Sequence, residues 1–301
     1  MIRVFILSAI VLLSIRLSAQ PNAGTSANSL AVLQQQLIQL SQSAQGRVGI
    51  AAKLLETGES ISIQGSERFP MQSVYKFPIG MAVLHQIDEG NLTLSQKIHV
   101  NKSDYISERQ HSPIRDKFPE GAHLAVAELL RYAVSESDGS ASDVLLRLAG
   151  GSRAVLRYLQ RLGIKGVRVL NTEKEIGQDN AVQYANWAQP ADIVALLQAF
   201  QQGRGLSTSS RAFLLKLMTE TVTGPNRLKG LLPPDTVVAH KTGSSGTVDG
   251  LTAATNDVGL LTLPNGRHIA IAVFVSDSKA NSTTREAVIA KAAQAIWMYW
   301  R

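Results

Sequence analysis

The sequence predicts an α/β (α+β) fold: an antiparallel sheet drawn from both ends of the chain, flanked by terminal helices, with an all-α lobe inserted between. Three observations carry this. Strand-like runs occupy residues 47–64 and 236–276. Apolar residues recur at helical spacing through most of residues 72–224. Each end also carries an amphipathic helical stretch, at 28–43 and 282–299.

Taken in order, Asn28 to Ser43 sets Leu30, Leu33, Leu37 and Leu40 on one helical face, and Gly46 stops it. Arg47 to Leu55 and Ser60 to Gln64 read as strands joined at Glu56-Thr57-Gly58-Glu59. Gln72 to Glu89 reads as a helix ended by Gly90-Asn91. Pro78 lacks the N–H that would bond the Val74 carbonyl, so a tight or irregular first turn is expected there. The helical pattern then continues, clearest at 125–135, 142–148, 152–162, 190–201 and 207–219. After Pro233-Pro234 the strands return at 236–242, 253–263 and 268–276, the last two joined by Pro264-Asn265-Gly266-Arg267. The closing helix is expected to be capped by Ser282 or Thr283, with Glu286 three or four residues in.

Residues 1–19 read as a secretory signal peptide. Arg3 gives a positive start, Val4 to Leu13 an apolar core, and Leu17-Ser18-Ala19 a cleavage site before Gln20. The apolar run is about ten residues, short of the roughly 20 that a membrane span needs. There is no cysteine, which excludes disulfides, thiolate metal sites and a lipid anchor on an N-terminal cysteine. The precursor's net charge of +7 falls to +5 without Arg3 and Arg16, and its basic residues are dispersed. That pattern argues against a nucleic-acid partner and suits a small anionic substrate. Six scattered histidines show no ligand spacing, so neither a metal nor another cofactor is expected.

The chemistry concentrates in four motifs. Ser73 and Lys76, three residues apart on a helix, share one face, which puts an amine beside a hydroxyl. Such a pair suits acyl transfer, where serine attacks a carbonyl and a neighbour takes its proton. A second such spacing, Ser276 to Lys279, reads as accidental. Within Ser137-Asp138-Gly139, Ser137 suits proton relay to a leaving nitrogen, and Asp138 suits bracing the loop through backbone N–H groups. Lys241-Thr242-Gly243-Ser244 ends a strand: the lysine and threonine suit a substrate carboxylate, and Gly243 leaves room along the strand edge. The Ser244 and Ser73 N–H groups would form an oxyanion hole. Glu173, in a polar loop, suits positioning and deprotonating a water, with Glu175 and Asp179 as local competitors. Each motif alone also fits capping or surface chemistry; their joint order is what lifts them.

Together, Ser73-x-x-Lys76, Ser137-Asp138-Gly139, Glu173 and Lys241-Thr242-Gly243 resemble the class A serine β-lactamases. Thr223-Gly224-Pro225, Arg227 to Pro233, and Val237 to Gly243 are similar to the PER-type extended-spectrum branch. The resemblance implies the serine β-lactamase/penicillin-binding-protein-like fold, as a single domain over 20–301. Its α/β lobe would span about 26–68 and 226–301, and its all-α lobe about 69–225. It implies Ser73 as nucleophile, Lys76 as its proton-transfer partner, Glu173 as the deacylating base and Ser137 as the proton relay. Lys241, Thr242, Gly243 and Ser244 would bind substrate with Arg227, and His111 would gate the cleft mouth. Asp138 and Asp143 would be structural supports. A secreted periplasmic monomer of a Gram-negative bacterium, acting on small β-lactams, is the matching expectation.

Two residues depart from the family pattern. Gly139 stands where an asparagine usually binds the substrate's acylamino carbonyl, and Gly177 where an asparagine usually helps hold the deacylating water. Losing the first contact would cost on the order of 1–3 kcal/mol and leave a gap for a water, so Gly139→Asn is expected to raise turnover. The motifs are also compatible with a penicillin-binding D-Ala-D-Ala peptidase, or with a weakly active or non-catalytic β-lactam-binding protein.

Overall fold

The structure is a computed structural model that describes residues 1–2 and 24–301; apart from its first two residues, the expected signal peptide lies outside the described residues. Helix α1 (Gly24–Gln42) leads into strands β1 (Arg47–Leu54) and β2 (Ser60–Ile63) and the short β3 (Phe69–Pro70). A 3₁₀ turn, Gln72–Tyr75, then feeds α2 (Lys76–Asp88), which is the tight entry Pro78 demands. Next come β4 (Lys97–Val100), α3 (Pro113–Lys117), β5 (Ala122–Ala125), α4 (Val126–Val134), α5 (Gly139–Leu148) and α6 (Ser152–Arg161). Short elements β6 (Val167–Arg168), α7 (Glu173–Ile176) and β7 (Trp187–Ala188) precede α8 (Pro190–Gln201) and α9 (Thr208–Thr219). The chain closes with β8 (Val238–Ser244), β9 (Thr247–Val248), β10 (Leu251–Thr262), β11 (His268–Ser278) and α10 (Ser282–Trp300).

Strands from both ends form one antiparallel sheet in the order β2-β1-β11-β10-β8, with β9 on β10. Nearly every residue of β10 and β11 is buried, because helices cover both faces of the sheet. On one face, Leu33 and Leu37 of α1 and Ile289, Ala293 and Trp297 of α10 pack on Ile50, Ile271 and Val273. On the other, Phe69, Phe200 of α8 and Phe274 join the core that runs into the helical insertion.

Two expectations are corrected. The insertion is not purely helical: β4 pairs with β5, and β3, β7 and β6 form a second small sheet. Pieces of two to four residues are too short to set up a period of two. The cap of α10 is Asn281, whose side chain accepts from the Thr284 N–H, rather than Ser282 or Thr283. Glu286 is drawn instead to Arg227, at 3.1 Å, because a nearly buried guanidinium needs a counter-charge.

Candidate active site

The sheet edge β8, the 3₁₀ turn, the α4–α5 junction and the loop carrying α7 meet at a cleft of about 520 Å³, lined among others by Ser73, Ser137, Glu173, Thr242 and Ser244. The sequence motifs therefore converge in space. At the centre is Lys76, almost fully buried. Its Nζ donates to Ser73 Oγ and to the Ser137 carbonyl, both at 2.8 Å, and lies 3.3 Å from Glu173 Oε2. Tyr75, the residue before it, donates its hydroxyl to the same Glu173 oxygen.

On the other side, Lys241 is fully buried and donates to Ser137 Oγ at 2.9 Å. Burial, and then the Lys76 ammonium, hold Lys241 well below the ordinary lysine range. Ser137 bridges the two amines, its carbonyl on Lys76 and its hydroxyl on Lys241. It does so in the left-handed region, φ +63°, a strained setting for a residue with a Cβ and one found mostly at functional sites. Asp138 fixes that turn. Its carboxylate caps α5 at Ala141 N (2.7 Å) and holds Ile114 N (2.7 Å). Burial pushes the Asp138 carboxyl up against the pull of these N–H donors.

Gly243 has a packing reason beyond leaving room for a ligand. A Cβ there would sit 2.3 Å from the Met71 carbonyl and 3.2 Å from Val74 N, so only glycine lets β8 lie against the Ser73 turn. Asn256 of β10 secures the same turn, donating to the Pro70 and Met71 carbonyls. Arg227 lies behind Ser244, donating to Ser244 Oγ at 2.7 Å and to the carbonyls of Gly243 and Asn256. Thr242 Oγ1 and Thr223 Oγ1 are 2.6 Å apart. His111 is exposed at the cleft, its Nε2 2.9 Å from the Glu136 carbonyl.

Glu173 opens α7, and the loop is latched at several points. Thr172 and Glu175 form a reciprocal cap, and Asp179 accepts from Ala181 N, which occupies both competitors of Glu173. Asn186 closes the loop's base by accepting from Leu170 N and Asn171 N. Asp143 of α5 receives Glu173 N at 2.7 Å and Lys174 N at 3.0 Å. Burial pushes the Asp143 carboxyl up to about 6 despite these donors. The folded chain therefore binds more protons than the unfolded one between about pH 4 and 6, so this group's contribution to stability falls as pH rises through that window. Asp143→Asn is expected to remove that slope: across the same window its melting temperature should rise relative to wild type. Parallel curves would contradict the assignment.

The two departing glycines turn out to be filled positions. A Cβ on Gly139 would meet Ile106 Cδ1 at 2.4 Å and Glu173 Cγ at 2.6 Å, so protein rather than a water-sized gap lies there. A Cβ on Gly177 would meet Gln110 Oε1 at 2.2 Å. Gln110 Nε2 donates to the Glu173 carbonyl at 2.5 Å, and Arg115 holds the Gln110 carbonyl in turn. Sequence reading missed Tyr75, Gln110, Asn256 and Glu286. Only Tyr75 carried a local signal, as the one aromatic inside the serine–lysine motif.

A serine bonded to a buried lysine, a carboxylate on the same amine and a second buried lysine at the sheet edge are an arrangement suited to acyl transfer on a serine. The comparisons make the class specific. A family profile described as "Beta-lactamase enzyme family" matches residues 32–300. Beta-lactamase VEB-1 of Pseudomonas aeruginosa is 43 % identical over 84 % of this chain and 85 % of its own. Extended-spectrum beta-lactamase PER-1 of the same species is 43 % identical over 91 % and 89 %. The crystal structure of a β-lactamase from Chitinophaga pinensis DSM 2588 is 46 % identical, with a TM-score of 0.88 over 90 % of this chain and all of that one. The TLA-1 extended-spectrum β-lactamase structure is 42 % identical, with a TM-score of 0.88 over 90 % and 99 %. The chain belongs to the β-lactamase family and is a class A β-lactamase.

Proposed function

We propose that the enzyme hydrolyses the β-lactam amide of penicillins and cephalosporins in two steps, through an ester on Ser73. The observation that carries this is the shared Lys76 amine, 2.8 Å from Ser73 Oγ and 3.3 Å from Glu173 Oε2. Ser73 Oγ attacks the lactam carbonyl carbon while its proton passes to Lys76, which accepts it as the neutral amine, having first lent its own proton to Glu173 and regaining it once Ser137 has drawn the other to nitrogen. The carbon–nitrogen bond breaks, and the nitrogen takes a proton through Ser137, whose hydroxyl lies on Lys241. Glu173 then removes a proton from a water that attacks the ester carbonyl, and Ser73 leaves with a proton returned to it. The ring-opened acid is the product.

Lys241, Thr242, Ser244 and Arg227 bind the substrate carboxylate, with Glu286 balancing the Arg227 charge. The Ser73 and Ser244 N–H groups receive the oxyanion. Asp138 and Asp143 act through position alone, and His111 borders the cleft mouth. The Gly139 backbone takes part through its N–H on the His111 carbonyl. The extended-spectrum names of PER-1 and TLA-1 favour a broad range of β-lactam substrates.

We further propose export of a monomer to the periplasm, where this activity confers β-lactam resistance. Among the described residues no helix is long and apolar enough to cross a membrane. No group of three metal-ligating side chains occurs there either. A chromogenic cephalosporin tests the central claim. Many turnovers per enzyme are expected, and Ser73→Ala should lose all of them. A Ser73→Ala variant that still hydrolysed the substrate would remove the serine from the mechanism.

A further inference from the structure

Resting on the base role proposed for Glu173, we propose that Tyr75 is a positioning residue for deacylation: its buried hydroxyl donates to Glu173 Oε2 and holds that carboxylate in one orientation beside Lys76. The 3₁₀ turn drives this placement. It turns Tyr75 away from the cleft, with its ring fully buried in the helical core, while Ser73 stays partly accessible. Burial and the facing Glu173 and Asp143 carboxylates keep the phenol well above its ordinary range, so it remains a donor. Ser142 of α5 faces the same phenol.

Gly139 makes the contact possible. With no side chain there, the Glu173 stem lies against the start of α5 beside Ile106 and reaches inward to Tyr75. Oε2 is thereby committed to Tyr75 and Lys76. Among the described residues no side chain bonds Oε1, which is left to receive the water proton. Lys76 and Lys241 are the cations that face this carboxylate, and Asp143 is the neighbouring anion.

Tyr75→Phe removes one oxygen and keeps the packed ring. A hydrogen bond to a charged carboxylate favours its ionised form, so losing this one should move the acid limb of the kcat profile up by about one pH unit. The deficit against wild type should then grow as pH falls through the limb, approaching about tenfold only well below it, with acylation and melting temperature little changed. Asp143, pushed up to about 6, also titrates on the acid side, so the comparison is repeated in an Asp143→Asn background, where the upward shift should persist. A shift that vanished there would assign the limb to Asp143 and overturn the proposal. So would an unchanged limb in Tyr75→Phe while Glu173→Ala still traps its acyl-enzyme. If Glu173→Ala itself deacylates at the wild-type rate, the base assignment fails, and that failure is separate from the role of Tyr75.

Discussion

Glu173→Ala is expected to leave the enzyme stalled as an ester on Ser73. In the proposed mechanism acylation needs Ser73, Lys76 as a neutral amine and the oxyanion hole; the Ser73–Lys76 contact at 2.8 Å is direct, and solvent can take the Lys76 proton where Glu173 is absent. Deacylation needs a water made nucleophilic, and the carboxylate is the base proposed for it. Removing a positioned general base typically costs about 10²- to 10⁴-fold. Because the second step then limits turnover, kcat and KM should fall together while the acylation rate changes little. Intact-protein mass spectrometry after mixing with a cephalosporin should show the Ser73 adduct persisting. Glu173→Gln separates base from scaffold. Its amide oxygen can still accept from Tyr75, yet it takes no proton at neutral pH, so it should stall as the alanine variant does. A glutamine variant that deacylated like wild type would show that Glu173 positions the water without accepting its proton.

The sequence made the residues of the candidate site legible because they lie in short local motifs. Ser73 and Lys76 share one turn, Ser137 and Asp138 one junction, and Lys241 to Ser244 one strand end. The long strands were equally plain, since β10 and β11 are continuous apolar runs buried on both faces. What escaped depends on contacts between distant segments. Gln110 meets Glu173 from 63 positions away, and Asn256 meets Pro70 from 186 away. No periodicity records such pairs. Glu286 was misread for a related reason. A glutamate early in a helix is a frequent capping partner, and only the fold places the Arg227 guanidinium beside it.

Gly139→Asn is expected to lower turnover, the reverse of what the motif alone suggests. Read from the sequence, the glycine is a missing substrate contact, and asparagine restores it. In the folded chain the first carbon of that side chain would lie 2.6 Å from Glu173 Cγ and 2.4 Å from Ile106 Cδ1. Neither neighbour moves freely. Ile106 is buried, its N–H bonded to Ser140 Oγ, and Glu173 is latched by Asp143 at its own N–H and by Gln110 at its carbonyl. The carboxylate must therefore swing away from Tyr75 and Lys76. A displacement of about 1 Å in a catalytic group is enough to cost about 10²-fold, far more than a regained amide contact returns. The loss should fall on deacylation, so the variant should accumulate the Ser73 ester as Glu173→Ala does. Gly139→Ala carries the same first carbon without the amide and should show most of the loss, which separates crowding from any effect of the amide on substrate. Turnover of Gly139→Asn equal to or above wild type would mean that the 106–110 segment and α7 yield together. The close packing of Glu173 against α5 would then not be what sets its position.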